Sequence, residues 1–92
     1  MIKNFRHKGL ARFFIDNDKS GINAQYCSRI CRMLDRLDSS IAAEDMDLPG
    51  YAFHKLSGDR KNTWSVKVSA NWRITFLFKG EHAYEVNLED YH

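Results

Sequence analysis

No stretch of the sequence approaches the roughly 18 consecutive apolar residues that a membrane-spanning helix requires. Lys3, Arg6 and Lys8 lie near the beginning of the chain, but no apolar segment follows them as it would in a signal peptide. We therefore expect a cytoplasmic protein that makes no contact with a membrane.

Cysteine and proline are also scarce, with two cysteines and one proline in 92 residues. Cys27 and Cys31 are four positions apart in a segment with a helical pattern, a spacing that rarely suits disulfide geometry. Because no other cysteine or histidine is close in sequence, we expect core cysteines in a reducing compartment and no metal site. A glycine-rich phosphate loop and a serine-nucleophile motif are missing as well, and no cofactor is expected.

The net charge of +2 conceals a segregated pattern. Residues 1–15 carry +4 and residues 51–80 carry +5, whereas residues 16–50 carry −3 and residues 81–92 carry −4. A basic segment with interleaved aromatic residues suits a phosphate-bearing partner such as a nucleic acid. The alternative is a solvated sheet face.

The apolar periodicity predicts one α+β domain over residues 1–92. A short strand is expected over 1–6 and helices over about 7–18 and 24–38, with Asn23 as the N-cap of the second helix. After Pro49-Gly50 the period changes from 3.6 to 2, which predicts strands over 51–56, 64–69, 72–78 and 83–88. We therefore expect an N-terminal strand and two helices packed on a small antiparallel sheet.

Strand alternation divides the side chains of this sheet between two faces. The face toward the helices is predicted to carry the large residues Trp64, Trp72, Ile74, Phe76 and Phe78. The opposite face is predicted to carry Lys67, Arg73 and Thr75.

Arg29, Arg32 and Arg36 form a stripe of their own on the second predicted helix. The simpler interpretation is a solvated helix face. The alternative is a surface that contacts ribosomal RNA or an acidic partner segment.

Six dispersed residues have side chains suited to cleaving RNA through its own 2′-hydroxyl: His54, Lys55, Arg73, Asp90, Tyr91 and His92. That reaction needs a base, an acid and cations that stabilise the crowded phosphate. Two histidines can share the proton transfers because they titrate near neutrality, and an arginine can bind the phosphate bidentately. Each residue also has an ordinary interpretation as a surface group, so these residues alone predict a small basic α+β domain with RNA as one possible partner.

Two runs are more specific, Asn71-Trp72-Arg73-Ile74-Thr75-Phe76 and Glu89-Asp90-Tyr91-His92. They resemble runs in the HigB toxins, a family of the RelE-like superfamily of toxin–antitoxin systems. Further similar segments cover nearly the whole chain in one register: residues 1–5, 7–10, 34–37, 53–59 and 64–68.

The resemblance implies the RelE-like microbial RNase fold and a ribosome-dependent endonuclease that cleaves mRNA in the A site. It also implies a partner, a HigA-like antitoxin with a helix-turn-helix. The toxin is expected to associate with operator DNA only through this antitoxin. By analogy, His54 and His92 are acid–base and phosphate-contacting groups, Arg73 binds phosphate, Asp90 orients the terminal histidine, and Tyr91 positions the RNA.

One departure from the family concerns Ser57, where many relatives carry a lysine. We hypothesise that Lys55, two residues earlier, takes over part of that role if the strand is regular. The predicted contacts to RNA and the ribosome are Lys55, Lys67, Arg6, Lys8 and the arginine stripe of the second helix.

Two other functions compete with the nuclease. ParE-like proteins share the superfamily fold but poison DNA gyrase, and they lack the set of His54, Arg73 and Asp90-Tyr91-His92; fold alone does not fix function. A plain RNA-binding module predicts that His54 and His92 are dispensable for toxicity.

Overall fold

The computed structural model describes residues 1–90, so the predicted site residues Tyr91 and His92 lie outside the described residues. Two helices, α1 (Lys8–Asp16) and α2 (Cys27–Ser39), precede an antiparallel four-stranded sheet. Its strands follow chain order: β1 (His54–Lys55), β2 (Trp64–Lys67), β3 (Trp72–Lys79) and β4 (His82–Asp90). The predicted α+β architecture is confirmed. Within residues 1–90, no helix is both long and apolar enough to cross a membrane.

Local backbone chemistry sets the ends of both helices. α1 ends two residues before the predicted limit because Asn17 adopts a left-handed conformation, with φ 56°. Asn23 does act as a cap, since its side chain accepts a hydrogen bond from the amide of Gln25. It caps a 3-10 turn over residues 24–26, and α2 begins only after that turn.

The core lies between α2 and one face of the sheet. α2 contributes the fully buried residues Ile30, Met33, Leu34 and Leu37, and the sheet contributes Val66, Ile74, Phe76 and Val86. Burying one such side chain stabilises the fold by about 1.5–3 kcal/mol. The expectation of two core cysteines is wrong for Cys31: Cys27 is buried, but Cys31 is exposed because the helical rotation carries it beyond the edge of the apolar stripe.

The N-terminal strand is reduced to two isolated parallel bridges with β4, Ile2 to Ala83 and Phe5 to Val86. Between them, the Asn4 side chain accepts a hydrogen bond from the amide of Glu85 at 2.6 Å. Glu85 has a φ of 53° and lies at an irregularity in the pairing of β3 with β4. This bulge prevents a continuous ladder along the edge of β4.

The predicted strand over 51–56 is likewise reduced to the two residues of β1. Gly50 and Ala52 have positive φ angles of 84° and 48°, which are incompatible with an extended strand. The regular strand therefore begins only at His54, although the amide of Lys67 in β2 also donates a hydrogen bond to the carbonyl of Tyr51 at 2.6 Å.

Candidate active site

The sheet register aligns polar residues on the face away from the helices, called the open face below. In one row, His54 pairs with Ser65, Ser65 with Thr75, and Thr75 with Asn87. In the next row, Lys67 pairs with Arg73 and Arg73 with Glu89. Directly paired residues share a face, so the predicted placement of Lys67, Arg73 and Thr75 opposite the core is confirmed and His54 joins them.

His54 is exposed at the edge of this face, and its ring is held by its own backbone. Its Nδ1 lies 2.9 Å from the carbonyl oxygen of Ala52. Because a carbonyl can only accept a hydrogen bond, Nδ1 carries the proton and Nε2 carries the lone pair in the neutral ring. The left-handed conformation of Ala52, which costs about 1 kcal/mol for a residue with a Cβ, accompanies this contact.

Glu89 is the centre of the densest polar cluster on the open face. Its carboxylate accepts hydrogen bonds from both terminal nitrogens of Arg60, at 2.7 and 2.5 Å, and one from the Thr75 hydroxyl at 2.5 Å. The Asn87 amide donates a further bond at 3.3 Å, and Nη2 of Arg73 lies 3.6 Å from Oε1. One carboxylate thus contacts two guanidinium groups.

These contacts shift the titration of the acid. The hydrogen bonds from Arg60 and then Thr75, with the positive charges of Arg60 and Arg73, lower the pKa of Glu89 from 4.5 to about 2 against the opposing effect of burial. The same hydrogen bonds raise the pKa of Arg60. Glu89 is therefore ionised throughout the physiological pH range.

Comparison with known proteins identifies the architecture that carries this site. The family model described as "RelE-like toxin of type II toxin-antitoxin system HigB" matches residues 3–92. The chain belongs to the HigB-like toxin family. It is also 45% identical to a protein of Proteus vulgaris named Endoribonuclease HigB, over the whole of both chains. The family implies that this toxin has an antitoxin partner.

The basic residues Lys55 and Lys67 of this HigB-like toxin lie in different surroundings. Lys67 is exposed on the open face, beside Arg73 in the register. Lys55 pairs with Trp64, alternates with His54, and places Nζ 5.2 Å from the centre of the Trp64 ring. Because β1 ends at Lys55, the regular strand that would place Lys55 and Ser57 on one face is missing.

Arg6 and Lys8 are exposed near the β4 edge and at the start of α1. Arg6 lines a small cavity of about 210 Å³ that also borders Arg60 and Glu89. The toxin's N-terminal segment therefore reaches the margin of the Glu89 cluster.

Two arginines of the α2 stripe donate hydrogen bonds to backbone carbonyls of the toxin. Nη2 of Arg29 contacts the carbonyls of Gly50 and Lys67 at 2.8 and 2.9 Å, and Nε of Arg36 contacts the carbonyl of Asp45 at 2.9 Å. Within residues 1–90, the side-chain hydrogen bond of Arg32 goes to the Ser28 hydroxyl, one turn earlier in the same helix. Arg29 and Arg36 thus brace the fold, whereas Arg32 contacts a residue of its own helix.

Asp90 is exposed at the end of β4 and pairs with Trp72. Alternation places it on the opposite side of the strand from Glu89. Among residues 1–90 of the toxin, no group of three or more histidine, cysteine, aspartate or glutamate side chains is arranged to hold a metal ion.

Sequence reasoning did not assign a role to Arg60 or Glu89, although both belong to the polar cluster on the open face. Glu89 is two residues from Asn87 and faces Arg73, so strand parity would have placed it on the open face once the register was known. Arg60 lies in a turn over residues 58–60, where no periodicity indicates its direction. Its contact spans 29 positions of sequence and becomes visible only in the folded toxin.

Proposed function

We propose that this toxin is an endoribonuclease that cleaves mRNA in the A site of the ribosome through attack by the RNA's own 2′-hydroxyl. The observation that carries the proposal is the alignment of His54, Lys67 and Arg73 in adjacent rows of the sheet face opposite the core. An acid–base group and two permanent cations on one surface are what this transesterification needs.

His54 supplies one of the proton-transfer groups in the proposal. With Nδ1 donating to Ala52, the lone pair on Nε2 is directed away from the backbone and can accept the proton of a 2′-hydroxyl. The imidazole gains a proton as the cyclic phosphate forms, and a second group must protonate the departing 5′ oxygen.

The cations act on the phosphate. Arg73 can bind two phosphate oxygens in its planar fork, and Lys67 adds a point charge in the same row. Positive charge that is already in place when the phosphate becomes pentacoordinate is typically the largest contribution to such catalysis.

The second proton-transfer group is proposed to be His92, with Asp90 orienting it and Tyr91 positioning the RNA. The support for these roles is the family resemblance of the Asp90-Tyr91-His92 run. β4 extends as far as Asp90, one residue beyond Glu89.

The proposed partners are the ribosome, its bound mRNA and a HigA-like antitoxin with a helix-turn-helix. The curated relative from Proteus vulgaris is named an endoribonuclease, which supports RNA as the substrate. A small domain of net charge +2 binds free RNA weakly at physiological salt, so the ribosome is proposed to provide the remaining affinity.

The test is cleavage of a defined mRNA on programmed ribosomes, with cut sites mapped by primer extension. Wild type is compared with His54→Ala and His92→Ala, and with a control that contains the RNA alone. We expect cuts only with ribosomes and a loss of about 10²–10⁴-fold in rate for each histidine variant.

Other outcomes would redirect the proposal. Cleavage of naked RNA would keep the nuclease and remove the ribosome from the mechanism. Undiminished cleavage by both histidine variants would remove the acid–base mechanism, and toxicity without any cleavage would favour a gyrase-binding toxin of the ParE type.

A further inference from the structure

Arg60 reaches the open face from outside the sheet. It lies in the turn over residues 58–60, and its guanidinium meets Glu89 near the end of β4. Its side chain is 41% exposed, whereas that of Glu89 is 19% exposed. The carboxylate is thus the sheltered partner, and the guanidinium is the accessible one.

The contact with Glu89 uses only some of the N–H donors of Arg60. A guanidinium has five N–H groups, and Arg60 uses two of them on Glu89. Within residues 1–90, its other three N–H groups have no hydrogen-bond partner. Since Glu89 fixes the plane of the guanidinium, those donors point in set directions before any ligand arrives.

Glu89 lies between the guanidinium groups of Arg60 and Arg73. Two guanidinium groups this close would repel each other without the carboxylate between them. Glu89 therefore holds Arg60 beside Arg73 while much of the Arg60 side chain stays exposed.

Arg60 also borders a basic groove of about 640 Å³. The charged residues that line the groove are four basic side chains and one acidic side chain: Lys55, Arg60, Lys61, Lys79 and Asp59. None of the three lysines forms a salt bridge with another residue of the range 1–90. A groove of this sign fits the backbone of a single-stranded nucleic acid.

We propose that Arg60 is a second phosphate-binding arginine of the site, and that Glu89 is the positioning residue that holds it beside Arg73. The inference rests on the proposed function for its ligand class, single-stranded RNA. In it, a strand bound at Arg73 continues over Arg60 into the basic groove.

The first test measures RNA binding without cleavage. A fluorescent single-stranded RNA oligonucleotide, 2′-O-methylated throughout so that it cannot be cut, is titrated with toxin at increasing salt. We expect Arg60→Gln to weaken binding about tenfold at low salt. It should also reduce the slope of log affinity against log salt by about 0.7, the value for one lost phosphate contact on a single strand.

Matched variants separate this effect from folding and from general charge. Arg12→Gln removes another surface arginine, which lies on α1 and is 48% exposed. Its guanidinium pairs with Asp18 at 3.6 Å, and its loss should leave the salt slope unchanged. Arg60→Lys keeps the charge and should keep the slope. In the double variant Arg60→Gln, Glu89→Gln, two neutral amides replace the ion pair, and thermal unfolding verifies that the fold is retained.

The second test separates positioning from structural support. Glu89→Gln removes a negative charge, so RNA affinity should be unchanged or higher, while kcat on programmed ribosomes should fall about tenfold because Arg60 loses its alignment. Adding Glu89→Gln to Arg60→Gln should lower kcat no further. Equal losses of affinity and kcat, or additive effects, would overturn the positioning role.

The two proposals fail differently. An unchanged salt slope in Arg60→Gln, or no binding by wild type at the lowest salt, would overturn the second phosphate contact whether or not ribosomal cleavage occurs. A reduced slope without any cleavage on ribosomes would support the contact and overturn the proposed nuclease.

Discussion

The two groups of arginines in this toxin differ in the chemistry of their partners. On α2, Arg29 and Arg36 donate to backbone carbonyls that belong to other segments of the chain. On the open face, Arg60 and Arg73 share the carboxylate of Glu89. The first arrangement ties segments together through neutral acceptors, whereas the second concentrates charge around one acidic group.

This difference explains why a stripe of like residues on a helix is a poor guide to function. A guanidinium that bridges two carbonyls is committed to the fold, because its loss leaves those carbonyls without a partner. Arg60, whose two terminal nitrogens donate to the carboxylate of Glu89, keeps further donors for a ligand. The comparison therefore predicts activity losses on the open face and stability losses on α2.

The largest effect is expected from Arg73→Ala. Removing preorganised charge from the phosphate should lower kcat/KM for cleavage on programmed ribosomes by about 10²–10³-fold. Arg73→Lys should recover only part of the rate, because a point charge cannot replace the planar fork. Single-turnover kinetics measure the change. Activity of Arg73→Ala within threefold of wild type would remove Arg73 from the site and end the contrast between the two groups.

Arg29→Ala should act on stability. It removes two hydrogen bonds to carbonyls and a guanidinium 5.4 Å from the centre of the Tyr51 ring. We expect a loss of about 1–3 kcal/mol in the free energy of unfolding, measured by urea denaturation. Arg32→Ala is the matched control, and its loss should stay within about 0.5 kcal/mol. Normal stability with weak ribosome binding would make Arg29 an RNA contact instead.

The fold of this chain is largely readable from its periodicity, and the exceptions have local causes. The change of period after Gly50 correctly separated the helices from the sheet, and alternation put Arg73 opposite the core. The strand predicted over 51–56 is shorter in the structure because Ala52, near its start, adopts a left-handed conformation. Alanine gives no sequence signal for that conformation.

The site was only partly predictable for a different reason. The sequence proposes His54 and Arg73 because each lies in a run that resembles the family. Arg60 was missed since a turn has no periodicity, and its meeting with Glu89 depends on tertiary structure. A long-range ion pair leaves no pattern in a single sequence.

Glu89 gives the open face a contribution to stability that depends on pH. Its pKa is about 2 in the folded toxin against an ordinary value of 4.5, so its charged form is favoured by folding. The resulting stability is fully present above pH 4.5 and is lost as the pH falls toward 2. After allowance for solvent screening, we expect about 1–3 kcal/mol.

The measurement compares the unfolding free energies of wild type and Glu89→Gln between pH 7 and pH 2.5. The difference should be largest at neutral pH and shrink on acidification, since protonation of Glu89 makes the two proteins alike in charge. Asp18→Asn, at an exposed pair, serves as the control and should show a much smaller pH dependence. A constant difference would mean that packing, not charge, explains the cluster.

The smallest effect is expected from Arg32→Glu. This variant tests whether α2 contributes to ribosome binding only through long-range electrostatic attraction. Arg32 is exposed, and its hydrogen bond to Ser28 stays within α2, so its reversal should leave the fold intact. A charge at the rim of an interface acts mainly on association and its salt dependence. We expect a several-fold rise in the Kd for ribosomes that disappears above about 0.5 M salt, with an unchanged rate of cleavage once mRNA is bound. Ser28→Ala removes the hydrogen bond without altering the charge and should bind normally. Equal losses in binding and cleavage would place α2 within the catalytic machinery, because a purely electrostatic contact outside the site acts before the chemical step.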